Sequence, residues 1–151
     1  MTENQPVFHV VQPHSIFVQQ LTARRLFPLK ANYSYHPKLS LQLNIKRNNS
    51  NPQGLLGVSL SGDAEEQFPF ELELQLAVQF DLPPKKDISD EELLSFLKRQ
   101  SLLLLWPYAR TYIGDLLAKM GLPPLILPWI NVEETAIQII PHRDDEENEQ
   151  Q

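Results

Sequence analysis

The chain has 151 residues, 42% of them apolar and 21% charged, a balance that fits one globular domain able to bury a core without disulfide or metal support. Its formal net charge of −6, with 13 Lys and Arg against 19 Asp and Glu, argues against a nucleic-acid protein, because phosphate binding needs a concentrated basic surface. The absence of cysteine excludes disulfides, thiolate zinc sites and iron–sulfur clusters, and it suits a reducing compartment.

In chain order, Thr2 to Gln5 are polar and lack a basic flank before an apolar core, so they do not read as a signal peptide. Residues 1–14 are read as an N-terminal extension ahead of a single domain over 15–140. From Ile16 to Leu29 the alternation is imperfect, with Phe17, Leu21, Ala23 and Leu26 among polar neighbours, and it predicts a bent strand running into a loop at Pro28. Leu39, Leu41, Leu43 and Ile45 then share one face while Ser40, Gln42, Asn44 and Lys46 share the other, the period of a half-buried strand. Asn48 to Gly54 has turn composition, and Leu56, Val58 and Leu60 resume the alternation in a third strand. The longest alternation runs through Phe70, Leu72, Leu74, Leu76, Val78 and Phe80, with Glu71, Glu73, Gln75 and Gln79 opposite. Strands in succession joined by short loops imply an antiparallel sheet.

Pro83 and Pro84 stop the sheet, and Ser89 with Glu92 three residues later is a capping-box signature opening a helix. Leu93, Phe96, Leu97 and Leu104 recur at helical spacing. A break is predicted near Trp106, because a residue before proline is pushed out of the α region, and Pro107 suits the first turn of a second helix. Ala109, Tyr112, Ile113, Leu116 and Met120 form that helix's apolar stripe, with Gly121 placed to end it. Prolines 123, 124 and 128 forbid both helix and central strand, so Leu122 to Trp129 must lie extended over something. A short helix or strand is expected from Val132 to Ile140. Residues 141–151, with Asp144, Asp145, Glu146, Glu147 and Glu149, read as a disordered acidic tail. The longest apolar run, Leu102 to Trp106, is far short of the ~20 residues that span a bilayer, and a cytoplasmic protein is expected. The fold class is α+β: a four-stranded antiparallel sheet with two helices packed on one face.

Nothing in the residues points to catalysis. His9, His14, His36 and His142 are scattered without the spacing of a metal pair, and Ser59, Ser61 and Ser101 lack the Gly-x-Ser-x-Gly setting of a nucleophile. Glu65 and Glu66 lie in a polar stretch with nothing apolar to raise a carboxyl pKa. The protein is read as a non-enzyme without a cofactor.

Trp106-Pro107-Tyr108-Ala109-Arg110, followed by Gly121, Pro124, Leu125, Leu127, Pro128 and Asn131, resembles the C-terminal half of the SecB export-chaperone family. Tyr35-His36-Pro37-Lys38-Leu39-Ser40-Leu41 is similar to that family's aromatic-x-Pro approach to its second strand, where Trp is common at the position of Tyr35. The order of strands and helices matches from about Ile16 to Val132. The run from Gly121 to Asn131 is one residue shorter than the family pattern, and the residues after Asn131 depart from it.

The resemblance implies a holdase that forms a dimer of dimers, binds unfolded or precursor polypeptides and passes them to the translocation ATPase SecA through acidic sheet-surface and C-terminal contacts. A SecB-like adaptor dedicated to one partner, such as a toxin–antitoxin pair, is the alternative. The candidate peptide-binding residues are Phe27, Tyr33, Tyr35, Trp106, Tyr108, Leu125, Leu127 and Trp129, several of them beside prolines outside regular elements. Each has a second reading as core or subunit interface. Glu71 and Glu73 are candidates for a basic partner or for a plain solvated face. Arg110 is expected to pair with a local acid rather than to read a client carboxylate.

Overall fold

The computed structural model describes residues 9–28, 36–62, 68–84, 88–132 and 134–135. Strands β1 (Gln12–Arg25), β2 (Lys38–Lys46), β3 (Gln53–Ser61) and β4 (Phe70–Asp81) form one antiparallel sheet in the order β1-β4-β3-β2. One helix, α1 (Asp90–Lys119), packs across β2, β3 and β4. The α+β class and the antiparallel sheet agree with the sequence reading.

Register explains the two faces. Leu43 pairs with Leu56, Leu56 with Leu76, Val58 with Leu74 and Leu60 with Leu72, so a continuous apolar floor lies under the helix. The opposite face carries Ser40, Gln42, Ser59, Glu73 and Gln75 and faces water. β1 starts at Gln12, so Gln12, Pro13 and His14, expected in an N-terminal extension, belong to the sheet. Its pairing with β4 slips between Pro13 and Ser15 and between Val18 and Gln20, and these bulges produce the bend and the broken alternation. Ahead of the strand, the His9 ring stacks on Phe96 of α1 with centroids 4.3 Å apart.

The expected pair of helices is a single one, with Pro107 inside it. A proline in a helix costs about 3 kcal/mol through a lost hydrogen bond and a clash. Here Pro107 and Leu103, whose carbonyl loses its partner, are both exposed, so water can take that carbonyl. Against that cost stands the row Leu93, Leu97, Ser101, Leu105, Ala109, Ile113 and Leu117, which is buried at four-residue spacing on both sides of the proline. Each buried leucine-sized side chain contributes roughly 1.5–3 kcal/mol, so continuity of the packed face wins. Ser89 caps the start as predicted, accepting from the Glu92 amide at 3.3 Å.

The helix comes closest to the sheet at Gly54. A Cβ there would lie 2.6 Å from the Ser101 Cβ and closer still to its Oγ, so only glycine admits the helix at this depth. Ser101 Oγ is buried in the contact without a hydrogen-bond partner among the described residues.

Candidate functional site

Beyond α1 the backbone does what the sequence demands. Gly121 takes a φ of 69°, the Gly121 amide donates to Ala118 O and the Leu122 amide to Leu117 O, both at 3.0 Å, which ends the helix in a Schellman turn with Leu117 and Leu122 buried together. Arg25, the last residue of β1, donates from Nη1 to Met120 O at 3.0 Å and from Nε to Phe27 O at 3.4 Å. A cation thus sits on the helix C-terminus, where the macrodipole favours it, and ties the end of β1 to the end of α1. In the last turn, the hydrogen bond to Asp115 at 2.8 Å holds the exposed Lys119 ammonium above the ordinary lysine pKa.

From Leu122 the proline-rich chain runs back along α1 as a strap. The Trp106 indole Nε1 donates to Pro128 O at 3.1 Å, which fixes the far end of the strap to the middle of the helix. Leu122 and Leu127 point inward at 5% and 4% exposure, and Leu125 and Ile130 pack against the core in part. Ile126 and Trp129 point outward at 86% and 87% exposure. The strap ends at Asn131, whose side chain accepts from the Glu134 amide at 3.0 Å and caps a helical turn opening at Val132. The rest of the short element expected to Ile140 lies outside the described residues, as does the tail.

The candidate peptide-binding residues therefore separate. Trp106 and Leu127 are buried and hold the strap down, while Trp129 and Tyr108 are open to solvent. Phe27 and Leu125 are half-buried, Leu125 against the core. Tyr33 and Tyr35 lie outside the described residues. Ile126, Leu26 and Leu103 are exposed apolar side chains that the sequence reading did not single out. Ile126 was accessible to reasoning, because an extended segment with Leu125 and Leu127 turned in must turn the residue between them out.

On the sheet's outer face, Arg24 pairs with Glu71 at 3.2 Å and His14 lies 3.2 Å from Asp81. Arg24, Lys38 and Lys46 there balance Glu71, Glu73 and Asp81, so this face is less acidic than the spacing of Glu71 and Glu73 suggests. A polar hollow of about 310 Å³ opens above Gly57 between Gln42 and Gln75. A second hollow of about 500 Å³ is lined by Ile45, Leu82, Leu93 and Leu97 together with Arg47 and Asn48. Among the described residues no cluster of three or more His, Asp or Glu could hold a metal ion, and no helix is long and apolar enough to cross a membrane.

Fold and site define an α+β module whose exposed chemistry is apolar contact surface carried on a braced strap. The chain matches the family model described as preprotein translocase subunit SecB over residues 3–138. The protein-export proteins SecB of Xanthomonas euvesicatoria pv. vesicatoria and Xanthomonas axonopodis pv. citri are each 30% identical over 122 residues, spanning 79% of this chain and 70% of theirs. Among solved structures, the SecB-like chaperone of Mycobacterium tuberculosis, in complex with a ChAD peptide from the HigA1 antitoxin, superposes with a TM-score of 0.67 at 20% identity, over 80% of this chain and 88% of that one. The chain belongs to the SecB family.

Proposed function

We propose that the protein is an ATP-independent holdase that captures apolar and aromatic stretches of unfolded or precursor polypeptides and releases them for export. The observation that supports this most is the strap: Ile126 and Trp129 stand in water on a segment whose other side is locked into the core. Burying such side chains against a client contributes roughly 1.5–3 kcal/mol each, and an extended client offers them alternate residues. Tyr108, Phe27, Leu125 and the aromatic residues Tyr33 and Tyr35 complete the binding surface. An unfolded client loses entropy on binding, so useful affinity requires several such surfaces at once.

Oligomerisation supplies them. Among the described residues β1 is a 14-residue edge strand hydrogen-bonded to β4 alone, with Phe17 and Leu21 exposed on its two faces. A long edge of this kind templates a second strand, and pairing of subunits here is the first step toward a dimer of dimers in the cytoplasm. Glu73, which makes no ion pair among the described residues, is the carboxylate assigned to a basic partner such as SecA. Polypeptide as the ligand class agrees with the antitoxin peptide held by the mycobacterial chaperone of similar fold.

The test is suppression of aggregation. Several unrelated denatured proteins, diluted with stoichiometric chaperone and no nucleotide, are expected to stay soluble by light scattering. Protection of a single partner and no others would replace this reading with a dedicated adaptor.

A further inference from the structure

Three arginines differ in what they hold. Arg24 pairs with Glu71 on the sheet's outer face, and Arg110, expected to pair with a local acid, makes no ion pair among the described residues. Arg25 donates to backbone instead, from Nε to Phe27 O at 3.4 Å and from Nη1 to Met120 O at 3.0 Å. Its own backbone is fixed to the sheet, because Arg25 is paired with the buried Phe70 and the Leu26 amide donates to Pro69 O at 2.8 Å. The guanidinium lies over Gly121, where an added Cβ would come within 3.2 Å of Nη1.

The two carbonyls belong to two apolar segments. Phe27 O lies on the chain leaving β1, with the exposed Leu26 and the half-buried Phe27 side chains, and Met120 O lies at the root of the strap that carries Ile126 and Trp129. Prolines 123, 124 and 128 supply no N–H, so no regular ladder can secure the strap to a neighbour. Trp106 fixes its far end to α1, and Arg25 hydrogen-bonds its near end to the end of β1. Arg25 is exposed, and surface substitutions usually change stability little, so folding alone gives weak reason for a contact that spans 95 positions of sequence.

We propose that Arg25 is a positioning residue for client binding: it holds Leu26 and Phe27 beside the root of the strap, so that one client chain crosses both segments without first having to order them. This rests on the holdase reading and adds to it the residue that sets two walls of the site against each other. A guanidinium is planar with its donors at fixed angles, so donating to both carbonyls fixes their relative placement. A lysine in its place keeps the charge at the helix C-terminus but is a point charge on a flexible stem, and it loses the bridge. A client that meets segments already held together loses less entropy in ordering them, and its second contact forms at high effective concentration.

The experiment uses two synthetic peptides rich in Leu and Phe, of about six and about twenty residues, which reach about 20 Å and about 70 Å when extended. Both are titrated by fluorescence anisotropy into the full-length protein, with urea melts on the same preparations. Wild type is expected to bind the longer peptide about tenfold tighter or more, because it crosses both segments. Arg25→Lys is expected to weaken the longer peptide by about five- to tenfold and to leave the shorter within about twofold of wild type, with a urea midpoint close to wild type. Wild-type affinity for both peptides in Arg25→Lys overturns the proposal. Equal losses for the two peptides, or a lowered midpoint with both affinities reduced, overturn it in favour of a purely structural contact. Equal binding of the two peptides by wild type overturns it as well, since the segments then act apart. Failure of wild type to bind either peptide overturns the holdase reading along with it.

Discussion

The sheet and the strap treat water in opposite ways. Along β3 and β4 the chain sorts its side chains, with Leu56, Val58, Leu72 and Leu74 sealed under α1 and Ser59, Glu73 and Gln75 in solvent. The strap sorts nothing: Leu122 and Leu127 go in, and Ile126 and Trp129, equally apolar, go out. Scattered exposed apolar residues are ordinary on proteins. An isoleucine and a tryptophan almost wholly exposed on one braced segment are another matter, because the subunit gains nothing from them. Stability belongs to the sheet and helix and to the inner side of the strap, and the outer side is the one the proposed function uses.

That division can be broken from the stable side first. Leu117→Ala, at the point where α1 meets the strap, removes a fully buried side chain shared by core and Schellman turn, and a loss of about 2–5 kcal/mol is expected in urea melts. Gly54→Ala comes next, at roughly 1–3 kcal/mol, because its Cβ collides with Ser101 and neither backbone can yield cheaply. Ser101→Ala alone should raise stability, since it deletes a buried hydroxyl that has no partner among the described residues. In the double variant it should restore only part of the loss, because the Ser101 Cβ would remain 2.6 Å from the added methyl. If Gly54→Ala melts like wild type, the helix does not dock against Gly54 at this depth.

How much of this was legible depended on how local the cause was. β2, β3 and β4 could be read directly, because one wet and one dry face force a strict alternation, whereas β1 was blurred by bulges at His14 and Gln19 that no residue type announces. The helix break expected at Trp106 followed from a local rule about proline. It was overridden by a buried row spanning several turns, a tertiary cause invisible in the dipeptide. At the site, prolines 123, 124 and 128 marked an extended segment lying over the rest of the fold, but not which way its side chains point. Trp106 and Trp129 look alike in sequence as aromatics next to proline. One is buried because its indole N–H reaches the Pro128 carbonyl, and that partner exists only once the strap has folded back.

The same two tryptophans sharpen the comparison at its quiet end. Trp129→Ala, alone or with Ile126→Ala, removes side chains that touch mostly water, so melting should shift by less than about 0.5 kcal/mol. Client affinity should nevertheless fall about tenfold or more, the scale expected when an exposed aromatic anchor is truncated. Trp106→Ala is the control: it empties a packed position and frees the strap, so stability and binding should fall together. Measured on the same preparations by melting and by anisotropy, the pattern separates a binding surface from a core. If Trp129→Ala costs stability and affinity in equal measure, its side chain is structural in the assembled protein, and the outer side of the strap faces another subunit rather than a client.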